Sequence, residues 1–346
     1  MIPLLQFTGK SIYCARADVH IDPWIPVDRA IITHAHSDHA RQGSKHYLAH
    51  QDSAAILRLR LGEDISLQTV GYKESFTING VVFSLYPAGH IIGSAQVRVA
   101  YGGEVWVVSG DYKTENDGVA AAFEPVPCHN FITECTFGLP VYHWQPQQQV
   151  FDEINSWRDQ NSVQGITSVL MGYALGKMQR LLRHCARPGE ELWAHGAIYN
   201  VHRRLQDAGM DLPTLHLLTR DIPREQLKGK TILAPPSANG TPWLRKFGNY
   251  ATGYCSGWMA LRGAKNRRAV DRGFILSDHA DWEGLNAAVK ATGAEQVYAT
   301  HGYTAIFSRW LQEQGIGAAE VQTMYGAEED ELQPDSPDGA EAATES

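Results

Sequence analysis

Six consecutive positions, His34-Ala35-His36-Ser37-Asp38-His39, constrain this chain more than any other stretch of it. They follow an apolar run, Ala30-Ile31-Ile32-Thr33, that reads as a strand. Residues two apart in extended backbone project to one side, so His34 and His36 leave the strand end together. Asp38 and His39 fall at the start of the next helix and turn towards a second point. Imidazoles and carboxylates are metal ligands, and this spacing can serve two adjacent ions. A lone histidine is ordinarily structural. With 15 histidines in 346 residues, however, the full pattern would arise by chance in roughly one or two such chains per thousand.

Two ions need more ligands than one loop holds, and later strand ends offer them. His90 follows the run VVFSLYPAG, Asp111 follows EVWVVSG, and His301 follows QVYAT. Each stands just past a strand, where side chains can converge on one edge of a sheet. A carboxylate at Asp111 can bridge two ions, which a single imidazole nitrogen cannot. The set predicts two divalent ions per chain, zinc in the first instance and manganese as the alternative.

From 29 to 137, short β-branched runs alternate with Gly, Asn and Asp signals, which reads as a sheet of successive strands. From about 147 to 270, helical and strand patterns alternate and predict an α/β unit with a mainly parallel sheet. GFILSDHAD restores the strand and turn signals, and a helix, a strand and a second helix follow. The middle block therefore reads as an insert over 137–265 in a first domain made of 1–136 and 266–325. The tail, 326–346, holds eight acids and no Lys or Arg, which equals the whole formal charge of −8, and is expected to be disordered. The body is formally neutral, and its basic residues cluster in and beside the insert, from Lys177 to Arg204 and from Arg245 to Arg272. Such runs read equally as a solvated face or as a track for nucleic acid.

At 346 residues, 43% of them hydrophobic, the chain can bury a core without staples. Its five cysteines form no CxxC pair, which argues against a disulfide framework or a thiolate zinc site. No apolar stretch is long enough to cross a membrane and no signal segment is evident, so the expected location is cytoplasmic, with no membrane partner.

THAHSDH, AGH at 88–90 and SGD at 109–111 resemble the successive metal motifs of the metallo-β-lactamase superfamily. ITECTFG, LSDHADW and THGY resemble its nucleic-acid-processing branch, which carries a β-CASP cap. YALGKMQ at 173–179 resembles the cap motif of DNA-repair nucleases related to Artemis. With PPSANGTPW and CSGWM, the chain to about 325 is most similar to the bacterial ligase-associated DNA exonucleases. The resemblance implies an α/β fold, the metallo-β-lactamase αβ/βα sandwich with an inserted α/β β-CASP cap domain. It implies one metal on His34, His36, His90 and Asp111, and a second on Asp38, His39, Asp111 and His301. Asp22 in HIDPW matches the acid that supports the histidine loop, with Asp18 and Asp28 as alternatives. Implied partners are DNA, single-stranded or with accessible ends, and the DNA ligase and helicase of a repair pathway. His301 does not separate DNA from RNA substrates.

Paired ions lower the pKa of a shared water and clamp a phosphate oxygen, the arrangement used for in-line displacement at phosphorus. A departing alkoxide gains roughly 10² to 10⁴ in rate from a positioned acid. His279, held by Glu134, is the candidate, and Asp38 completes the catalytic set through the nucleophile's metal. The resemblance implies products with a 5′-phosphate and a 3′-hydroxyl. The insert points to a polymeric substrate. Lys177, at a predicted helix start, would join an ammonium to free backbone N–H groups. Arg267 and Arg268 would follow the phosphates, and Tyr173, Trp243 and Trp258 would stack bases. Competing readings are an RNA-processing β-CASP ribonuclease and a catalytically silent nucleic-acid-binding scaffold, which would be expected to lack ligands that this chain keeps.

Overall fold

A computed structural model describes residues 3–321 and 323; the tail over 326–346 lies outside the described residues. Two compact units divide the chain, one running to His143 and resuming at Asp278, the other Trp144–Ser277.

In the first unit, β1 (Gln6–Phe7), β2 (Ile12–Cys14), β3 (Val19–Ile21), β4 (Arg29–Ile32), β5 (His46–His50) and β6 (Leu67–Val70) form one sheet in chain order. A second sheet begins with β7 (Ser75–Ile78), β8 (Val81–Pro87), β9 (Ala95–Tyr101), β10 (Glu104–Val108) and β11 (Asn130–Cys135). The strand-rich stretch from 29 to 137 is therefore divided between two sheets rather than forming one. The reason lies in the period-2 pattern of the strands. Trp106 and Val108 face the first sheet and share a core with Ile12, Ile31, Leu48, Phe83, Val97 and Ile132. Val107 and Phe131 point the other way, into a core with Leu285, Val289, Phe307 and Leu311 of helices Trp282–Thr292 and Thr304–Glu313. Two sheets face to face, with helices outside the second, is the sandwich the sequence leads one to expect.

In the second unit, β12 (Thr167–Met171), β13 (Leu192–Ala194), β14 (His216–Leu217), β15 (Thr231–Ala234), β16 (Tyr250–Cys255) and β17 (Arg272–Phe274) form a sheet ordered β14-β13-β15-β12-β16-β17, parallel at every pairing. Apolar clusters cover both faces, as a parallel sheet requires. β17, expected to return to the first domain, instead pairs with β16 through Gly253–Arg272 to Cys255–Phe274. That pairing carries the second unit to Ser277, past the expected limit at 265. At its other end the unit starts at Trp144 rather than 137.

The chain then re-enters the first unit as β18 (Gln296–Gly302) and β19 (Gly317–Glu320), which complete the second sheet in the order β19-β18-β11-β10-β9-β8-β7. β10, β11 and β18 are mutually parallel. β8 is antiparallel to β9, which is antiparallel to β10, so β8 runs with them. Four strands thus end on the same edge, and residues at or just beyond their ends meet there. No helix of the described residues is long and apolar enough to cross a membrane.

Candidate metal centre

The segment after β4 forms a turn, Ala40 N–H donating to the His36 carbonyl at 2.8 Å, and not the helix expected to begin at Asp38. The turn still points its side chains two ways. His34, His36, His90 and Asp111 present ligand atoms within 4.8 Å of one another, and so do His39, Asp111 and His301. Asp38 Oδ2 lies 3.6 Å from His39 Nε2 and 3.9 Å from His301 Nε2. Asp111 stands between the groups, Oδ2 at 3.4 Å from His34 Nε2 and Oδ1 at 3.4 Å from His39 Nε2. The turn that delivers it needs glycine: Gly110 has φ +56, and a Cβ there would meet Thr33 Oγ1 at 2.6 Å.

Hydrogen bonds fix which ring nitrogen faces the cluster. Asp22 Oδ2 takes the Nδ1 hydrogen of His39 at 2.7 Å. It also accepts from Thr33 Oγ1 at 2.6 Å, and that hydroxyl in turn lies 3.1 Å from His34 Nδ1. His90 Nδ1 donates to the Asp278 carbonyl at 2.8 Å, and Ser94 Oγ accepts from the His90 backbone N–H at 3.1 Å. His34, His39 and His90 are thereby set to offer Nε2 lone pairs, the usual arrangement of metal-ligating imidazoles. Of the three candidate supporting acids the structure selects Asp22. Asp18 accepts from the Tyr13 hydroxyl and Asp28 pairs with Lys45, both at the surface. Thr33, Ser94 and the Asp278 carbonyl escape sequence reasoning, since a hydroxyl or carbonyl one bond from a ligand carries no spacing signal.

The donor set fits divalent cations. His34 Nε2 and Asp111 Oδ1 are buried with no hydrogen-bond partner among the described residues. His36 Nδ1 and His90 Nε2 approach to 3.0 Å, both aimed at one point. Burial pushes His34, His90 and His301 below the ordinary imidazole range, and burial with the neighbouring His90 takes His36 down to about 3. Neutral rings are the form that binds metal. Burial also opposes charge on His39, but Asp111, Asp38 and Asp22 outweigh it and hold His39 well above its usual value. Burial opposes ionisation of Asp111 as well, yet His39 and His34 keep it well below the carboxylate range. Around His39, three carboxylates favour positive charge.

His301 reaches the cluster through an irregularity. β11 and β18 pair in register to Glu134–Thr300, then Cys135 pairs with Gly302, so His301 is an extra residue in a bulge. Its φ of +57 is left-handed, a conformation that costs a non-glycine residue about 1–3 kcal/mol. The ring lies parallel to that of His39, centroids 5.0 Å apart.

Beside the ligands, His279 Nδ1 donates to the Glu134 carboxylate at 2.9 and 3.0 Å. Glu134 is buried and also accepts from the Tyr112 backbone N–H at 2.7 Å. His279 is part-exposed, its ring 4.6 Å from that of His90, and one of its nitrogens, with Asp111 and Glu134, forms a further close group. With Nδ1 committed to the carboxylate, proton exchange by this ring would pass through Nε2.

In the second unit the expected substrate contacts fare differently. Lys177 begins helix Lys177–Cys185, but it is only 3% exposed and its ammonium lies 5.5 Å from the centre of the Tyr173 ring. The Met178 and Gly176 N–H groups are taken by the Tyr173 carbonyl and Gln179 Oε1. The lysine expected at an open helix start is therefore a buried one, with the neighbouring Met178 N–H engaged. Arg268 sits over Tyr254 at 4.9 Å, and Trp243 packs edge-on against His195 and Phe247. Arg267 is exposed, donating to the Arg262 carbonyl at 3.3 Å, and Trp258 is half-buried in the turn Gly257–Ala260.

No protein-family profile matches the chain. A protein named probable DNA ligase from Opitutus terrae is 29% identical over 313 residues, which is 90% of this chain and 30% of that protein. An endoribonuclease from Yarrowia lipolytica is 30% identical over 34% of the chain and 14% of its own length. Cleavage and polyadenylation specificity factor subunit 3-I of Arabidopsis thaliana is 26% identical over 52% of the chain and 30% of its own. The chain thus spans 30% or less of the length of these curated relatives. A crystal structure of a protein of unknown function from Enterococcus faecalis superposes over 86% of this chain and 79% of its own, at a TM-score of 0.57 and 11% identity, a likeness of fold alone.

Proposed function

We propose that this chain, which has the metallo-β-lactamase fold with an inserted β-CASP cap, is a metal-dependent nuclease that hydrolyses DNA phosphodiester bonds as an exonuclease. The observation that carries the reading is the His279–Glu134 pair set against a cluster of seven candidate ligands. His34, His36, His90 and Asp111 would hold one divalent ion and Asp38, His39, Asp111 and His301 the other, zinc first and manganese as the alternative. Bound there, the ions would supply Lewis acidity, lowering the pKa of a water and neutralising phosphate charge.

The chain's own groups account for the rest. Asp22 and Thr33 hold two imidazoles in one tautomer, so that no reorganisation accompanies the reaction. Glu134 orients His279 through Nδ1, and His279 Nε2 delivers a proton to the departing 3′-oxygen. The products are a 5′-phosphate and a 3′-hydroxyl. In the second unit, Arg267 and Trp258 are the accessible candidates for backbone and base contact, while Lys177, Tyr173 and Arg268 would need to release their present contacts.

DNA is favoured over RNA because likeness to the probable DNA ligase covers nine-tenths of the chain, whereas likeness to the endoribonuclease covers a third. The presence of such a segment in a protein named as a ligase supports work on ends that are later joined, in repair. RNA processing is the second reading, resting on the endoribonuclease and polyadenylation-factor relatives. Digestion of end-labelled single- and double-stranded DNA and RNA, with 5′-hydroxyl and 5′-phosphate ends, separates them. Release of mononucleotides from DNA ends is the expected result. Internal cuts in RNA alone would replace the proposal with its rival.

A further inference from the structure

The bulge at the end of β18 presents a ligand from a residue that strand geometry would point elsewhere, and something must hold it there. A side chain from the neighbouring strand meets the backbone of that bulge with a donor. The Cys135 thiol, buried at the end of β11, lies 2.7 Å from the His301 carbonyl oxygen and 3.4 Å from that of Thr300. The Cys135 carbonyl closes the corner from the other side. It accepts from the Tyr303 N–H at 3.1 Å and from the Gly138 N–H at 2.9 Å. Gly302, at φ +71, passes so close that a Cβ would stand 2.4 Å from that same oxygen.

We propose that Cys135 is a positioning residue for His301, its thiol donating to the carbonyl of the bulged residue and fixing the imidazole parallel to His39. A left-handed backbone at a non-glycine residue persists where its surroundings over-determine it. Here the over-determination comes from a side chain and a carbonyl of one residue. The preceding residue, Glu134, orients His279 from the same strand end. The last two positions of β11 therefore serve different halves of the site: Glu134 sets the group that moves a proton, and Cys135 sets a ligand on the second ion. The thiol carries no ligand role itself. Its hydrogen goes to a backbone carbonyl, and it stands outside the groups of potential metal ligands. Apart from its packing, what it contributes is direction.

The inference rests on the reading of His301 as a metal ligand, and the test separates the two. Zinc binding to the metal-stripped full chain is followed by calorimetry, and cobalt binding by its visible d–d spectrum, for wild type, His301→Ala, Cys135→Ala, Cys135→Ser and Gly302→Ala, each checked for native thermal unfolding. Partners that orient a ligand typically contribute 10–100-fold in metal affinity. Cys135→Ala should therefore bind one equivalent as wild type and the second roughly 10- to 100-fold more weakly, with a changed cobalt spectrum for that equivalent alone. Cys135→Ser, which keeps a donor, should recover most of the loss. Gly302→Ala, which presses on the same corner, should mimic Cys135→Ala and keeps the idea testable if that variant does not fold. Unchanged second-ion affinity in both Cys135→Ala and Gly302→Ala, or equal weakening of both ions, overturns the positioning role. If His301→Ala itself retains both ions, the ligand reading falls instead.

Discussion

The two units treat their polar side chains in opposite ways. In the candidate metal centre, the Nδ1 atoms of His34, His39, His90 and His279 meet Thr33, Asp22, the Asp278 carbonyl and Glu134. In the second unit, Lys177 lies against Tyr173 and Arg268 against Tyr254, cations set beside neighbouring rings. The first region holds its rings by hydrogen bonds to carboxylates, a hydroxyl and a carbonyl, and the second sets two of its cations against aromatic rings. Chemistry that must stabilise developing charge needs the first kind of arrangement. Binding a flexible polymer through its phosphates does not.

The contrast orders the expected effects of substitution. Removing a ligand from the organised region should be most severe: Asp38→Ala or His36→Ala should abolish hydrolysis and lower metal content while the circular dichroism spectrum stays native. His279→Ala should come next, slowing cleavage by roughly 10² to 10⁴ with metal content unchanged. On a substrate whose bridging 3′-oxygen is sulfur, a leaving group that needs little protonation, His279→Ala should recover most of its loss and Asp38→Ala should not. Equal impairment of His279→Ala on both substrates would leave His279 a structural residue. Asp22→Asn should weaken metal binding by roughly 10- to 100-fold, because it removes the charge that receives the His39 hydrogen. Metal affinity indistinguishable from wild type would show the organisation to be incidental.

Effects in the second unit should be smaller and of another kind. Arg267→Ala removes one exposed cation, so the slope of log affinity against log salt on single-stranded DNA should flatten by up to about 0.7. Lys177→Ala should leave that slope alone and lower the thermal midpoint, at about 0.5–3 kcal/mol of stability, since its side chain is packed. A change of slope for Lys177 and none for Arg267 would reverse the comparison.

The same contrast decides what could be read from the sequence. His34, His36, Asp38 and His39 are legible because the whole pattern fits in six residues. His90 and Asp111 are legible because each stands just past a strand that ends on the shared edge, and His301 because it lies at the end of another. Asp22 could not be told from Asp18 and Asp28, because the choice is made by hydrogen bonds to Thr33 and His39 that spacing does not encode. The division of the first stretch into two sheets was hidden because β6 and β7 are separated by a four-residue turn like those within a sheet. The place of β17 in the second unit is not legible because three residues carry too little pattern to name a partner. The burial of Lys177 is not legible because helical spacing does not say that the turn before the helix sets the Tyr173 ring beside its ammonium.

The central claim is that one cluster holds two ions and that hydrolysis depends on them. Elemental analysis of the purified chain, combined with its rate of DNA hydrolysis before chelation, after exhaustive chelation and after metal return, tests it most directly. The account predicts about two transition-metal ions per chain, as expected when one carboxylate bridges a two-metal site, with hydrolysis lost on chelation and regained with zinc or manganese. Full hydrolysis by the stripped protein, or a metal content that never exceeds one, would contradict it.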